Sequence, residues 1–232
     1  MGLLVCGHVH PAAQSIGGDY PELFDALFAP LGVEVIAYSV DQGCLPATIQ
    51  ECDGWVTSPS RNSVNDGEPW IAGLEAFVGE LVRAEHPFAG ICFGHQLLAR
   101  ALGGSVSRAP GGWGVGVQRY DVVEHRWWMD PPPTNAGFRL VASHEDQVTA
   151  LPPGGVVLAS SASCPVAAFE VGDRAIGLQP HPEFDGEISA RLLDLRADII
   201  GADIVTAARD TLSEVPDREL VARWIVRFLR GR

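Results

Sequence analysis

The chain has 232 residues, 47% of them hydrophobic, and is long enough to bury the core of one sizeable domain. Its 16 lysine and arginine residues against 29 aspartate and glutamate residues give a formal net charge of −13. This charge disfavours nucleic acid and anionic membrane surfaces as partners. No stretch approaches transmembrane length, and the first residues lack the basic region and long apolar run of a signal peptide. We therefore expect a cytoplasmic protein.

The cysteines are odd in number, scattered, and never arranged as Cys-x-x-Cys: Cys6, Cys44, Cys52, Cys92 and Cys164. This usage indicates neither a disulfide framework nor a zinc cluster, and it fits a reducing compartment. His8 and His10 alternate with Val9 and could be read as metal ligands, but no carboxylate or third histidine is near them in sequence. We interpret them as loop polarity and expect no metal ion or organic cofactor.

The first half of the chain alternates apolar strands with amphipathic helices. Strands are predicted at residues 3–6, 33–38, 54–57 and 87–91, and helices at residues 19–28, 68–82 and 96–102. This alternation is typical of an α/β fold in which helices cover both faces of a mainly parallel sheet. Such sheets bind ligands beyond the carboxyl ends of their strands, where Cys92 and the polar loop 58–63 lie.

The second half has a different pattern, with short strands added between turns rich in proline and glycine. Strands are predicted at residues 115–123, 138–142, 156–159, 166–171 and 174–178, and helices at residues 188–200 and 217–229. Residues 126–133 contain Trp127, Trp128 and three consecutive prolines. We interpret this stretch as an exposed loop anchored by its two tryptophans rather than as a partner-binding surface.

The segment Gly-Ile-Cys-Phe-Gly-His-Gln, residues 90–96, joins a predicted strand to a predicted helix. Gly90 and Gly94 flank Cys92 two residues away on each side, and small residues permit the sharp turn of a nucleophile elbow. The positive end of the helix dipole would favour a reactive thiolate at Cys92. By itself the pattern is equally compatible with a buried structural cysteine.

A second half-motif, Gln-Pro-His-Pro-Glu at residues 179–183, follows the last predicted strand. Pro182 favours an extended conformation at His181, and extended backbone puts residues two apart on the same side. Glu183 can therefore orient His181. A cysteine nucleophile, a histidine base and an orienting carboxylate make a catalytic triad. An exposed proline-rich turn is the alternative, but the two half-motifs complete each other at the carboxyl ends of strands.

These motifs resemble those of the class I glutamine amidotransferases, in particular the stand-alone, GMP-synthase-like branch. Further stretches carry the resemblance: Gly18-Asp19-Tyr20-Pro21, Ser63-Val64 before Glu68-Pro69-Trp70, residues 143–148 and residues 164–169. The resemblance implies one flavodoxin-like domain over residues 1–232. It also implies hydrolysis of the glutamine side-chain amide through a γ-glutamyl thioester on Cys92. His181 would transfer protons, Glu183 would orient His181, and the ammonia would pass to an acceptor or synthase subunit.

The resemblance also implies residues that assist the triad. Oxyanion donors are expected from Phe93 and from the loop after the third strand, through Ser58 or Ser60, and substrate contacts from Gln96, Ser143 and His144. This chain departs from the family pattern in three places. The loop lacks the family's glycine and contains Pro59, which has no N–H; Pro180 replaces an aromatic residue; and Gly114 replaces the acidic residue that follows the tryptophan.

Three functions remain open at this point. The first is a glutaminase that delivers ammonia to a separate synthase subunit. The second is a free-standing hydrolase of γ-glutamyl peptides or conjugates that uses the same thioester chemistry. The third is a non-catalytic or partner-activated protein. The intact triad favours the first two functions, and the altered loop at residues 58–60 favours the third.

Overall fold

The structure is a computed structural model that describes residues 1–231. Its strands are β1 (Gly2–Val5), β2 (Ile36–Ser39), β3 (Trp55–Thr57), β4 (Phe88–Ile91), β5 (Ser105–Arg108), β6 (Gly114–Val122), β7 (Gly137–His144), β8 (Asp146–Ala150), β9 (Gly155–Ser160), β10 (Ala168–Val171) and β11 (Ala175–Leu178). Its helices are α1 (Pro11–Gly17), α2 (Tyr20–Phe28), α3 (Pro69–Arg83), α4 (Phe93–Ala101), α5 (Gly186–Leu195), α6 (Ala197–Ile200), α7 (Ala202–Thr211) and α8 (Arg218–Arg230).

Within the described residues, nine strands form one sheet in the order β2-β1-β3-β4-β11-β10-β9-β6-β7. The first five strands in this order pair in parallel, and the remaining pairs are antiparallel. β4 lies between β3 and β11, so the carboxyl ends of these three parallel strands meet at one edge. The predicted α/β class, with a mainly parallel central sheet and added strands in the second half, is confirmed.

Helices cover both faces of the sheet and form two hydrophobic cores. Leu3 and Val5 point into the core beneath α2, α5 and α8, whereas Leu4 and Cys6 point into the core beneath α3 and α4. Side chains alternate between the two faces of a strand, so a strand buried on both faces is apolar throughout. That is why β1 reads as a continuous apolar run.

The residues that follow His10 were expected to form a loop, but they form a helix. α1 begins at Pro11, and the His10 side chain caps it by accepting from the Ala12 N–H. Asp19 caps α2 as predicted, in a capping box with Glu22. His8 lies 2.5 Å from Asp19. His8 and His10, which were interpreted as polar loop residues, therefore each make a specific contact with a neighbouring residue.

Other differences concern elements with weak periodicity. β5 and β8 form a separate two-stranded sheet that was not predicted, because Ser105–Arg108 is mostly polar and exposed. The helix predicted at residues 188–200 is interrupted at Arg196, and α7 follows Gly201, whose φ is 95°.

Trp128 is buried against Phe228, so it anchors its loop as expected, whereas Trp127 is 36% exposed. No helix within residues 1–231 is both long and apolar enough to cross a membrane.

Candidate active site

Cys92 occupies the turn between β4 and α4, with a backbone φ of 49° and ψ of −94°. A non-glycine residue in this region is strained, and the surrounding structure must hold it there. The flanking glycines leave the necessary space. A Cβ on Gly90 would lie 2.3 Å from the Gly94 carbonyl oxygen, and a Cβ on Gly94 would lie 1.7 Å from Thr57 Oγ1. The strand, sharp turn and helix predicted around Cys92 are present.

The first turn of α4 directs unpaired backbone donors toward the turn. The first helical hydrogen bond runs from the Gln96 N–H to the Cys92 carbonyl, at 3.1 Å. The N–H groups of Phe93, Gly94 and His95 therefore have no acceptor within the helix. They form the positive end of the helix dipole, which stabilises negative charge on an atom at Cys92.

His181 and Glu183 lie side by side, as their spacing predicts. The distance between His181 Nδ1 and Glu183 Oε1 is 2.7 Å, and both side chains are almost completely buried. The His181 ring also stacks on Phe184, with 4.7 Å between ring centroids and 10° between planes. The backbone N–H of His181 donates to the Val141 carbonyl at 2.9 Å and so holds the main chain of this segment. Contacts on several sides thus fix the imidazole.

Arg218 holds the backbone of the same segment. Its guanidinium donates to the carbonyl oxygens of Pro182 and Glu183, each at 3.0 Å. Because Arg218 belongs to α8, the C-terminal helix fixes the position of a segment that comes 35 residues earlier. The hydrogen bonds go to backbone oxygens and leave the Glu183 carboxylate to His181.

The electrostatic balance at His181 favours the protonated ring. Burial by itself would lower the pKa of His181, but the Glu183 carboxylate and the Cys92 sulfur outweigh burial and raise it to about 10. Nε2 makes no well-formed hydrogen bond within the described residues, although the sulfur is close enough to act on its pKa. An imidazolium next to a cysteine sulfur is the arrangement that activates a thiol nucleophile.

Gln179 touches the nucleophile and was not singled out from the sequence. Its Nε2 donates to Cys92 Sγ at 3.5 Å, and its Oε1 accepts from Gln96 Nε2 at 3.2 Å. Gln96 Nε2 also donates to the Asp146 carbonyl at 2.8 Å. Gln179 is fully buried two residues before His181. A polar residue at the end of an otherwise apolar strand is the sequence signal that would have identified it.

The two serines that were expected as oxyanion donors differ in their hydrogen bonding. The Ser58 N–H donates to the Leu4 carbonyl at 2.9 Å, and its hydroxyl bonds Cys6 N and the Pro59 carbonyl. The backbone N–H of Ser58 is therefore occupied by a hydrogen bond to β1, and Ser58 does not supply the oxyanion donor that was expected of it. Ser60 lines the same cleft as Cys92, and it remains a proposed oxyanion donor together with Phe93.

An open cleft of about 820 Å³ reaches Cys92. Of the residues expected to assist the triad, its lining includes Ser60, Phe93, Gln96, Ser143 and His144. Neither ring nitrogen of His144 has a well-formed hydrogen bond within the described residues. Burial, and then the nearby His181, lower the pKa of His144 to about 3, so its ring is neutral. A neutral imidazole can donate through one nitrogen and accept through the other.

Comparison with known proteins agrees with this geometry. The family model for class I glutamine amidotransferases matches residues 18–194. The chain belongs to the class I glutamine amidotransferase family. This confirms the resemblance inferred from the two half-motifs. Among the curated relatives, γ-glutamyl peptidase 3 of Arabidopsis thaliana is 29% identical, over 92% of this chain and 90% of that protein.

Other relatives show the range of proteins that carry this domain. A glutamine-hydrolysing GMP synthase of Aeropyrum pernix is 31% identical over 86% of this chain, but the match spans 38% of that longer protein. A solved glutamine amidotransferase structure from Methylobacillus flagellatus superposes with a TM-score of 0.75 and 24% identity, covering 99% of this chain and 92% of that one. At this identity, the solved structure supports the fold alone.

Proposed function

We propose that this protein hydrolyses γ-glutamyl amide bonds through a thioester on Cys92. The observation that carries the proposal is the buried set of Cys92, His181 and Glu183, in which the nucleophile lies on a cleft and at a helix N-terminus. The volume of the cleft and the family relatives bear on the identity of the leaving group.

In the first half of the reaction, Cys92 Sγ attacks the γ-carbonyl carbon of the glutamyl group. Negative charge develops on the carbonyl oxygen, and the free N–H groups of the first turn of α4, with Phe93 foremost, stabilise it. The Ser60 N–H would be the second donor. The carbon–nitrogen bond then breaks, and the imidazolium of His181 gives its proton to the departing amine.

In the second half, water replaces the amine. Neutral His181 takes a proton from water, which attacks the thioester and releases the glutamyl group as a free acid. Glu183 contacts His181 Nδ1 and stabilises the imidazolium when it forms. Gln179 donates to the sulfur and so stabilises the thiolate that leaves in this step.

The cleft favours substrates larger than glutamine. Its volume of about 820 Å³ lies in the upper part of the range that accommodates drug-sized ligands. A γ-glutamyl peptide would use this space, as would a γ-glutamyl conjugate, whereas ammonia needs none of it. The relatives named γ-glutamyl peptidase cover nearly the whole chain, which also supports this assignment. Glutamine hydrolysis that supplies a synthase subunit is the second candidate, favoured by the family match.

The test is hydrolysis by the purified chain of γ-glutamyl-leucine, γ-glutamyl-leucinamide, glutamine and the α-linked dipeptide Glu-Leu. We expect release of glutamate from the γ-linked compounds, none from the α-linked one, and complete loss in Cys92→Ala. Intact mass spectrometry of quenched reactions should show one glutamyl group attached to the wild-type protein. Equal activity of Cys92→Ala, or no γ-linked turnover, would overturn the proposal.

A further inference from the structure

We propose that Arg61 and Arg196 form a subsite that binds the carboxylate of an amino acid leaving group. This rests on the proposed γ-glutamyl hydrolysis and specifies its substrate class. The preferred substrate is then a γ-glutamyl amino acid or peptide in which an apolar residue with a free carboxylate follows the glutamyl group. Two observations carry the inference, both in the cleft that holds Cys92: two guanidinium groups that form no salt bridge within residues 1–231, and an apolar wall.

Arg196 lines the cleft that also holds Cys92. It lies at the junction of α5 and α6, and its Nη1 donates to Ser143 Oγ at 2.8 Å. No carboxylate forms a salt bridge with Arg196 within residues 1–231, although the side chain is half-buried. Most half-buried arginines are paired, because leaving such a charge uncompensated costs free energy.

Arg61 adds a second positive charge near the first. It belongs to the loop after β3, lines the same cleft, and also has no carboxylate partner among the described residues. Burial lowers the pKa of Arg196, and among its charged neighbours Arg61 acts in the same direction, whereas Tyr20 and Cys92 act against it. Two guanidinium groups that repel each other in one cleft would be stabilised by a bound anion. The cleft lining also contains Arg108 and three carboxylates, Asp66, Glu145 and Asp146, but none of these carboxylates forms a salt bridge with Arg61 or Arg196 within the described residues.

An apolar wall adjoins the arginines. Leu195 and Ile199 flank Arg196 in sequence and line the cleft, and Ile199 is 72% exposed. Trp113 lines the cleft as well. A substrate side chain that covered Ile199 and Trp113 would remove apolar surface from water, which favours binding. The wall and the arginines together match an apolar amino acid with a free carboxylate.

The subsite fits the chemistry of the first half-reaction. The bond between Cys92 Sγ and the γ-carbon forms, the carbon–nitrogen bond breaks, and its electron pair stays on the nitrogen, which takes the proton of His181. The product is a neutral amine whose carboxylate, attached one carbon away, remains held by Arg61 and Arg196. Binding that carboxylate orients the nitrogen toward His181, which is the group that must protonate it.

The experiment compares γ-glutamyl-leucine with γ-glutamyl-leucinamide, which replaces the carboxylate by a neutral amide of the same size. The variants are Arg196→Met, Arg61→Met and Arg196→Lys. Arg223→Met is the matched control, because Arg223 is exposed on α8 and changes the net charge equally. A charged hydrogen bond contributes about 1.5–3 kcal/mol, so each methionine variant should lose roughly tenfold to a hundredfold in kcat/KM on γ-glutamyl-leucine.

The inference expects less than about a threefold change on the leucinamide, partial recovery in Arg196→Lys, and no change in Arg223→Met. Equal losses on both substrates would overturn it and would assign the arginines to the glutamyl carboxylate instead. Arg61→Met decides the question if Arg196→Met fails to fold, because the Arg61 side chain is exposed. If neither substrate is cleaved by the wild-type protein, the proposed function itself has failed, which is a different outcome.

Discussion

Replacing Glu183 by glutamine tests the electrostatic core of the site. The change keeps an acceptor oxygen for His181 Nδ1 at 2.7 Å but removes the negative charge. The pKa of His181 is raised to about 10, against an ordinary value near 6.5. At about 1.4 kcal/mol for each pH unit, this difference corresponds to roughly 5 kcal/mol in favour of the imidazolium.

Without the Glu183 charge, burial lowers the pKa of His181, and only the Cys92 sulfur and the retained hydrogen bond at Nδ1 oppose it. Leaving-group protonation needs the imidazolium, so the alkaline limit of kcat/KM should move from near pH 10 to lower pH, by about two to three pH units. The stability that wild-type His181 contributes is complete below about pH 6.5 and is lost as the pH rises through about 10. Glu183→Gln should lack that contribution.

The assay is the pH profile of γ-glutamyl-leucine hydrolysis, together with NMR titration of histidine-labelled protein in which His181→Asn assigns the resonance. Glu187→Gln is the matched control, because Glu187 is exposed in the first turn of α5. Circular dichroism across the pH range separates loss of activity from unfolding. If Glu183→Gln keeps the wild-type limit and the wild-type His181 titration, Glu183 does not hold the charge on the imidazole.

Two further changes test the nucleophile's surroundings. Gly94→Ala should lower the free energy of unfolding by about 1–3 kcal/mol, because its Cβ would lie 1.7 Å from Thr57 Oγ1. Thermal denaturation would measure this loss. Gly111→Ala is expected to be neutral, because its Cβ would meet no atom of the described residues within 4 Å. Gln179→Leu removes the donor to Cys92 Sγ and should slow iodoacetamide alkylation of Cys92 roughly tenfold at neutral pH; an unchanged rate would show that the contact does not stabilise the thiolate.

The sequence was sufficient for the features that depend on local patterns. The apolar run of β1, the Asp19 cap of α2 and the two glycines around Cys92 each follow from short-range rules, and the structure contains all three. The spacing of His181 and Glu183 likewise predicted that the two side chains would meet. Strand β5 was missed because its polar residues show no alternation of apolar and polar side chains. The interruption of the helix at Arg196 was missed because no residue there signals a helix end.

Tertiary structure alone decided which groups are free to act. Nothing in the sequence indicated that the backbone N–H of Ser58 has an acceptor, but in the structure it donates to the carbonyl of Leu4 on the neighbouring strand. The contacts of Gln179 with Cys92 and of Arg196 with Ser143 could not be predicted from the sequence, because each joins segments that are far apart in the chain. The physical reason is that periodicity and turn chemistry specify local conformation, whereas hydrogen-bond partners, burial and neighbouring charge depend on the packing of elements far apart in the chain.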